Sequence, residues 1–195
     1  MNSTDETIIE LSKTKLVLLI LGACAFVMAG VWLLSVDAAS VRTGRSFRFF
    51  FNDPLVVRGA GVASILLFGL GALYGLKKLF DKKPGLILNS SGIVDNASAV
   101  AAGFIPWSEV VGSGVLEIQK QKMLIIGVRE PQKYIDRGNA LKRTLNNANY
   151  KMSGSPIAIS SVTLKINFSE LVSLFDRYHQ KYGVGHDAAS AGRET

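Results

Sequence analysis

Two long segments without a charged residue constrain this chain more than any other feature. Residues 16–36 form the first segment, of 21 residues, and residues 59–76 form the second, of 18. The hydrocarbon core of a bilayer is about 30 Å thick, and a helix of roughly 20 apolar residues spans it. The sequence therefore predicts two transmembrane helices, over about residues 16–36 and 57–78, in preference to two buried helices of a soluble protein.

The first segment has a second interpretation, as a signal peptide. Val36 and Ala38 have the small-residue spacing of a cleavage site. The apolar core is longer than the roughly 7–15 residues that are usual in signal peptides. An uncleaved anchor is therefore favoured, and after cleavage the second helix would still return the chain to the cytoplasm.

Basic residues beside the two segments predict their orientation. They are Lys13 and Lys15 before the first helix, Arg42, Arg45, Arg48 and Arg58 in or at the edge of the connecting loop, and Lys77, Lys78, Lys82 and Lys83 after the second helix. Cytoplasmic flanks of membrane helices carry an excess of Lys and Arg. The asymmetry predicts both termini in the cytoplasm. Membrane orientation also explains the positive net charge of the chain, so we expect no nucleic-acid partner.

The connecting loop, over about residues 37–55, alternates aromatic and basic side chains. Those singled out as lipid contacts are Arg45, Arg48, Phe49 and Phe50, together with the four lysines that follow the second helix. Such a segment suits a membrane interface, because the Phe rings can face the lipid while the Arg guanidinium groups face the phosphates. A binding site for an external target is the alternative, and we favour simple membrane contact.

Small residues lie within both apolar segments. They are Ala25, Ala29, Gly61, Gly69, Gly71 and Gly75. The spacing of Gly71 and Gly75 allows two membrane helices to approach closely. We expect such packing within the hairpin or between two copies of the chain, rather than a ligand site.

A soluble domain is expected over residues 84–183, after a tail and hairpin in residues 1–83. Short β-branched runs separated by turn residues predict a small antiparallel sheet or barrel. These runs lie in residues 86–118, 123–128 and 156–160. Residues 130–152 predict an insert of two short helices, or a helix and a loop, divided near Gly138. Residues 184–195 are small and polar and predict a disordered tail.

The last helix of the domain has the clearest pattern. Its apolar residues recur at helical spacing and predict one buried face. They are Phe168, Leu171, Val172, Phe175, Tyr178 and Tyr182. Asn167 or Ser169 is suited to begin the helix, and Gly183 to end it.

Three stretches, "LILNSSGIVD", "FIPWSEVVG" and "LKINFSELVSLFDRYHQKYG", give the chain a family resemblance. With the preceding hairpin, they resemble the bacterial pleckstrin-homology-like membrane proteins. The resemblance implies an α+β membrane protein, in which a transmembrane hairpin precedes a pleckstrin-homology-like β-barrel or sheet capped by a C-terminal amphipathic helix. It also implies a multi-pass protein of the bacterial cytoplasmic (inner) membrane, with its domain in the cytoplasm.

The expected structural core includes Trp107, Phe168, Leu171 and Phe175. We expect Trp107, beside Pro106, to pin a strand corner, with Glu109 as a candidate acceptor for the indole N–H. A large aromatic residue in a small domain is more often core than ligand platform, although stacking on a ligand is the alternative.

The sequence offers no catalytic centre. The two histidines, His179 and His186, lie in no catalytic or metal motif, and Cys24 is the single cysteine. We therefore expect no enzyme activity, cofactor, metal or small-molecule substrate.

Relatives of the fold that bind phosphoinositides place basic residues in the first hairpin loop. Residues 89–92, "NSSG", contain none.

Three functions remain open. The first is a membrane-anchored interaction or scaffolding module, which binds the bilayer and a protein partner or associates with itself through small residues of the membrane helices. The second is an immunity protein that acts against a membrane-active toxin through the Phe/Arg loop. The third is a sensor of anionic lipid surfaces. We favour the first, although fold alone does not determine function.

Overall fold

The computed structural model describes residues 5–35 and 53–183. The chain divides into two compact units, one formed by residues 13–81 and the other by the residues before and after that stretch. The predicted lipid contacts Arg45, Arg48, Phe49 and Phe50 and the predicted tail lie outside the described residues.

The first unit is a pair of long apolar helices, α1 (Lys13–Ser35) and α2 (Pro54–Leu79). Asp53 begins α2 by accepting a hydrogen bond from the Leu55 amide at 2.8 Å, and Pro54 occupies the first turn. Both helices are long and apolar enough to cross a bilayer, and only 11% of the most apolar window of each is buried. A core helix of a soluble protein would bury such residues, so this exposure favours membrane association.

Glycine contacts bring α1 and α2 close together. A Cβ atom on Gly30 would lie 2.9 Å from the Gly61 carbonyl oxygen, so both positions require glycine. Ser64 donates to the Phe26 carbonyl at 2.9 Å. Of the predicted glycine pair, Gly75 faces α1, where a Cβ atom would meet a side chain, whereas Gly71 faces open space.

The second unit contains two antiparallel sheets. The four-stranded sheet has the order β1 (Thr7–Ile9), β2 (Leu86–Asn89), β3 (Gly92–Asp95) and β4 (Gly103–Pro106). The three-stranded sheet has the order β5 (Val110–Ile118), β6 (Gln121–Val128) and β7 (Ile157–Ile159). The predicted α+β class with antiparallel strands is confirmed.

The described residues form open sheets and no closed barrel, so of the two predicted forms, barrel or sheet, the sheet is observed. Pro106 has no N–H to continue a ladder, and the 3-10 turn Trp107–Glu109 separates β4 from β5. A register irregularity between Val110 and Gly112 disturbs the start of β5. The N-terminal segment approaches the residues after β7 through an isolated bridge between Leu11 and Leu164.

Strand β1 is the main element that the sequence pattern does not indicate. It precedes α1, yet it pairs with β2 after α2, in the register Thr7 to Leu88 and Ile9 to Leu86. The Gly85 amide also donates to the Ile9 carbonyl at 2.9 Å. Residues 5–12 therefore complete the first sheet, and their assignment to an N-terminal tail is wrong.

The helical insert follows β6. It consists of α3 (Pro131–Ile135) and α4 (Ala140–Ser153), with Gly138 between them at a φ of +98°. The two helices lie on either side of Gly138, the position of the predicted division. The last helix, α5 (Phe168–Tyr182), begins with a capping box in which Asn167 and Glu170 bond reciprocally.

Helix α5 and the turn at Trp107 form the core with both sheets. Trp107 is buried, with its ring 5.8 Å from that of Phe175, and its Nε1 donates to the Asn89 carbonyl at 2.8 Å. The acceptor is thus backbone, not Glu109. Leu171 and Phe175 are buried, whereas Phe168 is partly exposed and Leu174 takes an unpredicted core position.

Replacement of Trp107 by Ala should destabilise the full chain strongly. Truncation of a buried large aromatic residue costs about 3–5 kcal/mol, and here the bond to Asn89 is lost as well. Thermal melting in detergent micelles, followed by circular dichroism, measures the effect on the strand signal. The full chain is required because a fragment that starts at Pro84 lacks β1.

Phe104→Ala is the matched control, because Phe104 lies on the neighbouring strand β4 with its ring half-exposed. It should lower the melting temperature far less than Trp107→Ala does. Equal, small effects of the two changes would contradict the core position of Trp107.

Candidate interaction surfaces

A polar network at the corner between β4 and β5 holds the helical insert in place. The buried Tyr134 donates its phenolic O–H to Glu109 at 2.6 Å, and Lys133 forms an ion pair with the same carboxylate. The Arg137 guanidinium lies 4.2 Å from the centre of the Tyr134 ring and donates to the Phe104 carbonyl at 3.0 Å. These contacts attach α3 to the sheets.

The protonation of this network follows from its neighbours. The hydrogen bond from Lys133, and then that from Tyr134, lower the pKa of the Glu109 carboxyl. Burial, and then the nearby Glu109 carboxylate, raise the pKa of Tyr134. At neutral pH the corner therefore holds a carboxylate and a neutral phenol, both fully engaged in structural bonds, which suits anchoring rather than catalysis.

A second polar cluster fastens the N-terminal segment to α5. Asp5 accepts from Lys181 at 2.7 Å and from the Tyr182 hydroxyl at 3.0 Å, while Thr7 and Tyr178 share a hydrogen bond at 2.9 Å. The bond from Lys181 is the main cause that lowers the pKa of Asp5. This cluster adds side-chain bonds to the strand pairing of β1.

Helix α4 presents an apolar stripe away from the domain core. Leu141, Leu145 and Met152 have exposed fractions of 68%, 41% and 61%. Within this helix only Asn146 is buried, and its Nδ2 donates to the Tyr134 carbonyl at 3.2 Å. The inward side chain is thus polar and the outward ones are apolar, the reverse of an ordinary surface helix.

The outer edge of β5 is a second exposed surface. In the described part of the chain no strand pairs with this edge, because β5 ends the three-stranded sheet. Val111, Val115 and Ile118 are exposed along it. A shallow groove of about 450 Å³ lies over the face of the β5–β6 hairpin, where residues 112–116, Ile125 and Gly127 face residues 152–155. The unpaired edge itself suits pairing with an extended segment.

The predicted membrane-surface lysines fall into two groups. Lys77, Lys82 and Lys83 are exposed. Lys78 is buried and pairs with Asp81 at 3.0 Å, so its ammonium group is not offered to a surface. No group of three or more His, Cys, Asp or Glu within residues 5–35 and 53–183 could hold a metal ion.

Two features of these surfaces were not singled out from the sequence. The spacing of Leu141, Leu145 and Met152 was visible, but only tertiary packing shows that the stripe faces outward. The bond between Tyr134 and Glu109 joins residues that are 25 positions apart, and no local pattern signals it.

Comparison of the chain with protein families, with curated proteins and with solved structures gives no match. The function is therefore inferred from the geometry of the chain itself.

Acid should weaken the corner network through Glu109. Because its pKa is lower in the folded chain than in the unfolded chain, its stabilising effect is present above the unfolded value of about 4.3 and disappears as pH falls through the folded value. Glu109→Gln should lower the melting temperature at pH 7. It should also make the loss of stability between about pH 5 and pH 3 smaller than in the native chain.

Glu117→Gln is the control for this experiment. The Glu117 carboxylate is half-exposed and lies 3.9 Å from Lys122, an arrangement that contributes little to stability. Melting curves of the three proteins across the same pH range provide the measurement. If Glu109→Gln and the native chain lose stability in parallel, the network does not contribute as described.

Proposed function

We propose that the chain is a non-enzymatic, membrane-anchored interaction module of the bacterial cytoplasmic membrane. A hairpin of two transmembrane helices holds a pleckstrin-homology-like domain against the cytoplasmic face. The pairing of β1 with β2 is the single observation that carries this proposal.

That pairing restricts how the helices can lie in a membrane. Thr7 precedes α1 and Leu88 follows α2, yet the two residues are partners in one sheet. Partners in a sheet occupy the same side of a bilayer. The chain must then cross the bilayer an even number of times between them, and two apolar helices supply two crossings. The excess of lysines beside the helix ends favours the cytoplasmic side.

The order of elements supports the resemblance to pleckstrin-homology-like proteins. Short antiparallel strands are followed by α5, and the buried face of that helix packs beside Trp107. Phe175 and Tyr178 both lie on that face. Strands followed by a final helix are the order that the resemblance implies, but the resemblance places the hairpin before the whole domain, whereas here it lies between β1 and β2.

A protein partner is favoured because the exposed features suit one. Strand edges pair with an extended segment of another chain through main-chain hydrogen bonds. Natural edges are commonly protected by charge, proline or short length, whereas β5 has nine residues and three exposed aliphatic side chains. Gly112 and Gly114 leave room for close approach. We therefore propose the β5 edge as the partner-binding surface.

A cysteine pair tests the anchoring. Ile8→Cys and Ile87→Cys, in a Cys24→Ser background, place thiols on directly opposed residues of β1 and β2. Mild oxidation of intact membranes should join them within one chain, because both residues lie on one side. Protease cleavage of the loop between α1 and α2 should then leave the two fragments linked until they are reduced.

Ile8→Cys with Val115→Cys is the control, because β1 and β5 belong to different sheets and this pair has no shared register. Absence of the bond between residues 8 and 87 in correctly inserted protein would overturn the proposed arrangement.

A photocrosslinking residue tests the partner surface. Placed at Val115 in intact cells, it should form one discrete adduct with a protein, since the β5 edge is offered to partners. The same residue at Gln180, an exposed position of α5, serves as the control. Identical adduct patterns from both positions, or none from Val115, would contradict binding at the β5 edge.

A further inference from the structure

We infer that helix α4 lies in the interface of an anionic lipid bilayer. Leu141, Leu145 and Met152 would enter the boundary between headgroups and acyl chains, and the excess basic charge of the helix would attract it to anionic lipid phosphates. This inference rests on the proposed function, because the membrane hairpin is what brings the domain to a bilayer.

The orientation of α4 is the first support. Leu141 and Leu145 lie one helical turn apart and Met152 two turns further, so the three form one stripe. Their exposed fractions are far above those of core residues, while Asn146 is 2% exposed. A helix in water gains stability by turning its apolar side inward. The opposite arrangement here indicates that the stripe meets an apolar surface outside the domain.

The charge of α4 identifies that surface. The helix contains three basic residues, Lys142, Arg143 and Lys151, and no acidic residue. Amphipathic helices that carry Lys and Arg as well as an apolar stripe bind anionic bilayers in two ways: the apolar side chains are buried in the bilayer, and the basic residues are attracted to anionic lipids. Asp136, just before the helix, pairs with Arg143 at 2.9 Å, and the three basic residues of the helix exceed this single carboxylate. A second copy of the chain is disfavoured as occupant, because two such helices packed together would bring like charges close.

Hydrogen bonds within the domain connect α4 with the first residues of the chain after residue 81. Asn96 contacts the first residues after the helical hairpin: its amide donates to the Gly85 carbonyl at 2.8 Å and its side chain to the Pro84 carbonyl at 3.1 Å. A few residues later in the same loop, the Ala101 carbonyl accepts from Lys142 at 2.5 Å. One short loop therefore contacts both the first turn of α4 and residues 84–85 of the same domain, which follow closely after the hairpin in sequence.

Fluorescence in proteoliposomes tests the inference. In a Cys24→Ser background, Leu145→Cys carries a polarity-sensitive fluorophore, and Asn147→Cys, an exposed position off the stripe, carries the same label. The full chain is reconstituted into phosphatidylcholine and phosphatidylglycerol at 3:1, with brominated acyl chains as quencher. The Leu145 label should be blue-shifted and quenched severalfold more than the Asn147 label. Leu141→Cys should repeat the Leu145 result.

A charge variant and lipid composition separate the electrostatic contribution to membrane binding from the contribution of apolar burial. Lys151→Glu, or pure phosphatidylcholine, should reduce the quenching of the Leu145 label. Lys142 and Arg143 are left unchanged, because Lys142 donates to the Ala101 carbonyl and Arg143 pairs with Asp136.

The alternative outcomes are distinct. Equal access of aqueous iodide to both labels would overturn the inference. A Leu145 label that is shielded from iodide but not quenched by the brominated lipid would also overturn it, because the stripe would then be covered by protein. Alkaline extraction of the same proteoliposomes is run in parallel. Extractable protein would overturn both this inference and the proposed anchoring. Integral protein without lipid quenching at Leu145 would overturn this inference alone.

Discussion

The pairing of β1 with β2 is the contact on which the rest of the molecule depends. It closes the first sheet with residues that precede α1, and it fastens the chain on both sides of the helical hairpin at neighbouring positions, Ile9 and Gly85. The side-chain bonds of Asp5 to α5 add to the same attachment. The hairpin is thus an insertion within a sheet domain rather than an N-terminal anchor joined to a complete one.

The strongly periodic elements could be predicted from the sequence. The length of the two segments without charged residues predicted α1 and α2. The helical spacing of apolar residues from Leu171 to Tyr178 predicted α5. Strand β1 could not be predicted, because three residues carry little pattern and its partner Leu88 lies beyond the whole hairpin. The separation of the sheets depends on how the chain turns after Pro106, which alternation of residue types does not report.

The exposed surfaces were only partly predictable, for a related reason. Sequence periodicity locates the two faces of α4 but not which one the domain covers, and the bond from Asn146 to the Tyr134 carbonyl decides it. Charge counting likewise gave Lys78 the same role as its neighbours, whereas its pairing with Asp81 withdraws it. In both cases a tertiary contact determines whether a side chain faces the protein or the solvent, which the local sequence leaves open.

The interrupted sheet also has a consequence for biosynthesis. Thr7 emerges from the ribosome before α1, and Leu88 emerges after α2, so at about 5–20 residues per second β1 waits roughly 4–16 s for its partner. In the proposed topology, both helices insert and return the chain during that interval. Under the proposed topology, failure of the second helix to insert would leave β1 and β2 in separate compartments. The open edge of β2 would then offer unpaired backbone groups to proteolysis or aggregation, so completion of the sheet would report correct membrane insertion.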